Sequence, residues 1–142
     1  MLKRFLLISA SFFILAEGQS QARIGESEAR CIERYGKPVQ VLEKGLLFVK
    51  DTRRIYITFS NGLADCIFVQ KLDPSFMKKA LPLPEPEIKQ FLSENSHGCV
   101  WKYSSNLPDG DKIWITNGSE LGALYSQATC SLQVYTRENI VR

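Results

Sequence analysis

Two similar runs of hydrophobic periodicity organise this chain. In the first, Ser27-Glu-Ala-Arg-Cys-Ile-Glu-Arg-Tyr35 spaces Ala29, Ile32 and Tyr35 at helical intervals, with Cys31 beside them. Gly25-Glu26-Ser27 supplies an N-cap, and Gly36 followed by Pro38 stops the helix. Period-two patterns follow. Val39–Leu42 and Gly45–Val49 read as strands, and Arg54-Ile-Tyr-Ile-Thr-Phe59 alternates cleanly. That alternation puts Ile55, Ile57 and Phe59 on one side and Tyr56 and Thr58 on the other. Ser60-Asn61-Gly62 marks a hairpin, because Asn-Gly accepts the positive φ angles of a tight reversal, and Ala64–Gln70 is the return strand.

Leu81-Pro-Leu-Pro-Glu-Pro-Glu87 then interrupts the pattern. Prolines in alternation resist helix and sheet, so residues 81–86 read as a linker, with Pro86 placed to open a helix over Glu87–Glu94. Ile88, Phe91 and Leu92 give that helix an apolar face, and Asn95–Gly98 ends it. Strand patterns recur at Val100–Tyr103, Lys112–Thr116, Leu121–Tyr125 and Ser131–Tyr135, with a polar loop at 104–110 and a turn at Asn117-Gly118.

Ile55-Tyr-Ile-Thr58 matches Ile113-Trp-Ile-Thr116 at an offset of 58, and Asn-Gly follows each. This reads as an internal duplication. The predicted fold is α+β: a tandem helix-plus-antiparallel-meander repeat, with two helices packed on one face of a six- to eight-stranded antiparallel sheet. Residues 23–80 and 87–142 form the two repeats of one shared compact domain.

The start of the chain carries a different signal. Lys3-Arg4 precede the eleven-residue, largely apolar run Phe5–Leu15, and a polar segment ending Ser20-Gln21-Ala22 follows. This is the layout of a secretory signal peptide with cleavage after Ala22, and the run falls short of the ~20 residues that span a bilayer. Removing Lys3, Arg4 and Glu17 from 18 basic and 15 acidic residues leaves 16 and 14, a net charge of +2. So small a charge predicts no broad attraction to nucleic acid or to an anionic membrane, and no transmembrane segment is expected in the mature chain.

Export changes the meaning of the cysteines. Cys31, Cys66, Cys99 and Cys130 are an even set in an oxidising compartment, which predicts two disulfides with three pairings open. The repeat favours Cys31–Cys66 and Cys99–Cys130, since each block has one cysteine near its helix and one after its Asn-Gly turn. No pair has zinc-site spacing, so neither a metal nor a cofactor is expected. His97 is the one histidine, two residues from Cys99, and this pair is the one candidate nucleophile and base. Hydrolase, metalloprotease and phosphate-loop motifs are missing from the sequence.

If Ile55, Ile57, Phe59, Ile113 and Ile115 face the core, Tyr56 and Trp114 face away from it with Arg54 and Lys112. Aromatic side chains mixed with cations on an open sheet suit protein recognition. Tyr56, Trp114, Arg54 and Lys112 are therefore the candidate binding residues. The expectation is a secreted or periplasmic, non-enzymatic module for a protein partner not identified by the sequence. The alternatives are an envelope-assembly adaptor and a small secreted thiol-dependent hydrolase using His97 and Cys99.

The segment Glu33-Arg-Tyr-Gly-Lys-Pro38, followed by strands and the aromatic run into Phe59-Ser-Asn-Gly62, resembles the SmpA/OmlA and β-lactamase-inhibitory-protein-like group. That resemblance implies a helix ending in an aromatic-Gly-x-Pro turn against an antiparallel sheet, and a tendency to bind proteins. Lipoprotein members of the group carry a cysteine at the cleavage site, and none stands near residue 23 here.

Overall fold

The computed structural model describes residues 23–138, so the expected signal peptide at 1–22 lies outside the described residues. Two helices, α1 (Glu28–Tyr35) and α2 (Glu85–Glu94), accompany nine antiparallel strands in one sheet. The strands are β1 (Gln40–Leu42), β2 (Gly45–Lys50), β3 (Arg53–Ser60), β4 (Leu63–Asp73), β5 (Phe76–Leu81), β6 (Trp101–Asn106), β7 (Lys112–Thr116), β8 (Leu121–Ser126) and β9 (Ser131–Thr136). The expected α+β class holds, with one strand beyond the upper end of the range.

Sheet order is β1-β2-β3-β4-β9-β8-β7-β6, with β5 also paired to β4. A helix precedes five strands in the first half and four in the second, and the two meanders meet at β4 and β9. The sequence match does not follow this arrangement. It aligns β3, which pairs with β4 near the middle, with β7, which sits next to the edge strand β6.

Local chemistry explains the elements. Ser27 caps α1, its Oγ accepting from the Arg30 N–H, and Gly36 at φ 82 ends it. The buried side of α1 is Cys31, with Tyr35 packed on Phe48 at 5.3 Å between ring centroids. Ala29 and Ile32, expected to face the core, are exposed instead. Asn61 (φ 52) and Gly62 (φ 77) make the expected left-handed hairpin between β3 and β4. Between β7 and β8 the left-handed residue is Ser119 rather than Gly118, so that turn is a longer loop.

Ile24, Phe48, Ile57, Ile67, Leu132 and Val134 pack with Ile88, Phe91 and Leu92 in one core between the helices and one sheet face. The proline segment expected as a linker is anchored in it. Leu83 is buried and its N–H donates to the Tyr125 hydroxyl at 3.2 Å, while α2 begins two residues earlier than expected. Glu87 fixes the helix start to the sheet by accepting from Arg53 and from Lys71, each at 2.8 Å.

Candidate functional site

Strand register decides what the other sheet face presents, because directly paired residues share a face. One row runs Leu47, Tyr56, Phe68, Gln133, Leu124, Ile113 across β2, β3, β4, β9, β8 and β7. Five strand spacings make it about 24 Å long. A second row runs Thr58, Cys66, Tyr135, Gly122, Ile115, and a third runs Val49, Arg54, Gln70, Ser131, Ser126. Both helices pack on the opposite face, so among the described elements no second layer covers these rows.

The central row is apolar except for Gln133, and its members are half-buried. The paired positions of the face carry two charges, Arg54 and, beside Ile115, Lys102. Arg54 donates to Gln70 Oε1 at 3.2 Å, and Gln70 Nε2 donates to the Thr129 carbonyl at 2.8 Å, forming a polar border. On the other side Thr58 Oγ1 donates to Asp65, which occupies a bulge in β4. Gln133 Nε2 donates to Cys66 Sγ at 3.1 Å. Burial pushes the Cys66 thiol up, opposed by the Gln133 bond, and burial likewise raises Tyr135. Both groups are therefore neutral at physiological pH, and the middle of the face stays uncharged.

The structure divides the four candidate binding residues. Tyr56 and Arg54 lie on this open face, as expected. Trp114 and Lys112 do not. Trp114 is 8% exposed in the core, edge-on to Tyr103 at 5.8 Å, while Ile115 is 38% exposed on the open side. Lys112 turns to the helix side and donates to Glu85 Oε2 at 3.1 Å. The alternation in Lys112–Thr116 was correct but its phase was not, because Ile and Trp are both plausible inward residues. Leu47, Phe68, Leu124 and Tyr135 belong to the face and were missed; each alternates with a more deeply buried neighbour in its own strand.

The cysteine pairs that the repeat favours are not brought together. All four thiols are free. Cys31 is buried under α1 on the helix side, whereas Cys66 is on the open side, so the sheet separates them. Cys99 adjoins the β7–β8 loop and Cys130 the β8–β9 turn, a strand length of about 17 Å apart. A disulfide needs Cα atoms within about 7 Å. Burial pushes the Cys31 thiol up to about 11.

His97 and Cys99 do not assemble as a dyad. His97 Nε2 hydrogen-bonds the Ile24 carbonyl, and Cys99 Sγ is directed at the His97 backbone oxygen at 4.0 Å. His97 helps instead to hold the first described residues, together with fully buried Asn95, whose Oδ1 accepts from the Ile24 N–H at 3.0 Å. Among the described residues no group of three or more His, Cys, Asp and Glu could hold a metal ion. No described helix is long and apolar enough to cross a membrane.

No protein-family model, curated protein or solved structure matches the chain.

Proposed function

We propose that this chain is an exported, non-enzymatic binding module that holds a protein partner on the helix-free face of its sheet. The observation that carries this reading is the uncovered row Leu47–Tyr56–Phe68–Leu124–Ile113, bordered by Arg54 and Gln70. A strip about 24 Å long, apolar on both sides of Gln133 and bordered by a polar rim, has the anatomy of a protein interface. Tyr56 and Phe68 are its anchors, adjacent on paired strands near its centre, and such aromatics lose little rotamer entropy when covered. The export signal at 1–22 and the resemblance carried by Glu33–Pro38 agree with a binding role outside the cytoplasm.

The test is partner capture by the mature chain from its native exported fraction. Tyr56→Asp and Phe68→Asp abolish capture of the bound protein while circular dichroism and Tm stay close to the parent. Capture unaffected by both changes would sink the reading.

A further inference from the structure

The helix-free face is balanced about β9. In the central row Gln133 stands in the middle, with Phe68 and Tyr56 one and two strands to one side. Leu124 and Ile113 stand one and two strands to the other. One half is aromatic and the other aliphatic. The row through Arg54, Gln70, Ser131 and Ser126 has the same balance in charge. The β7–β8 register pairs Lys112 with Tyr125, so its next step sets Asp111 opposite Ser126. There Asp111 Oδ1 accepts from the Gln127 N–H at 2.8 Å. Lys112 turns to the helix side, so alternation turns Asp111 to the open side. Arg54 and Asp111 thus share one row, two strands to either side of β9 and opposite in charge.

We propose that the partner held on this face is a second copy of the chain, stacked face to face about a twofold axis along β9. The proposal rests on the sheet-face reading and names its occupant. Such an axis exchanges the two sides of β9 and keeps each row in place, so the face carries its own complement. Phe68 meets the partner's Leu124, Tyr56 meets the partner's Ile113 and Arg54 meets the partner's Asp111, each contact made twice. Gln133 falls on the axis against its own copy, where an amide can both donate and accept. Cys66, Tyr135 and Gly122, in the row on the other flank, bring no charge into the middle. Aligned sheets stack about 10 Å apart and cross at about 30°, which offsets the row by about 5 Å at Arg54, a gap its long side chain spans. Area suffices as well. Six strands and three rows give a footprint of about 29 by 20 Å per copy; two copies cover about 1,200 Å², above the roughly 1,000 Å² of a specific interface.

The experiment is sedimentation equilibrium of the mature chain from about 1 to about 200 μM, with circular dichroism and Tm checking the fold of each variant. The expected result is a concentration-dependent dimer that Tyr56→Asp converts to a folded monomer. Arg54→Asp and Asp111→Arg each place like charges together and weaken the dimer about tenfold. Both changes in one chain restore it, because the reversed pair still matches. A monomer at every concentration would overturn the proposal. So would a dimer that Tyr56→Asp leaves intact, or one that the double charge reversal fails to restore. A monomeric chain that captures a different protein, and loses it on Tyr56→Asp, would overturn the second copy alone and leave the sheet-face reading standing.

Discussion

Tyr135 lies directly across from Gly122 on the open face, its ring resting where a side chain at 122 would stand. A Cβ added at Gly122 would come 2.6 Å from Tyr135 Cζ and 2.8 Å from its hydroxyl oxygen. The ring fills the gap left by glycine between Ile115 and Tyr135, an aromatic–glycine pair that keeps this part of the sheet smooth.

Gly122→Ala should therefore displace the half-buried ring and destabilise the fold by about 1 kcal/mol, the low end for overpacking because the far end of a side chain gives way. Thermal unfolding measures it. The double change Gly122→Ala with Tyr135→Ala should cost less than the two single changes combined, because the clash is shared.

Asn95 is fully buried and satisfies two groups at once, accepting from the Ile24 N–H and donating to the Phe91 carbonyl at 3.0 Å. Asn95→Ala strands the Ile24 N–H in the core and should lower stability by about 1–3 kcal/mol. Chemical denaturation checks this, with faster amide exchange at Ile24 as the local sign.

The Cys31 thiol is raised from 9.0 to about 11, first by burial and then by Glu26. In the unfolded chain this thiol ionises near its ordinary value, so between pH 9 and about 11 the unfolded state has lost a proton that the folded state keeps. Stability conferred by the neutral thiol is complete below pH 9 and is lost as pH rises through 11. Cys31→Ala should flatten the alkaline fall of a denaturation series in that window; an unchanged slope would remove Cys31 as its cause.

The same burial sets an order of reactivity. Cys99 and Cys130 are partly exposed in loops, whereas Cys31 has no solvent access. Native alkylation at neutral pH followed by peptide mapping should label Cys99 and Cys130 first and Cys31 after unfolding. Recovery of Cys31 joined to Cys66 would contradict the placement of these residues on opposite sides of the sheet.

Much of this architecture is legible in the residues alone. Asn61-Gly62 fixes its hairpin because both positions must accept positive φ, and Lys112–Thr116 declares a strand by alternation. β5 is harder to see: Phe76-Met-Lys-Lys-Ala-Leu81 lacks alternation and pairs irregularly. The phase of β7 is ambiguous for another reason. Its two faces carry Ile113 and Ile115 against Trp114 and Thr116, and hydrophobicity alone cannot choose between them. Contact with Tyr103 and the core decides the matter, and that information is not local. Tyr56 and Arg54 take the helix-free face that their strand pattern predicts, whereas Trp114 and Lys112 take the helix side because the phase of β7 is reversed. Cysteine order, likewise, says nothing about which side of a sheet each thiol occupies.

The most direct test of the central claim is photocross-linking in the cells that make the protein and in the medium around them. A benzophenone side chain replaces Tyr56, Phe68 or Leu124 on the open face, or exposed Lys89 on α2. The account predicts one common adduct from the three face positions and none from position 89. Adducts confined to position 89, or no adduct from any face position, would contradict it.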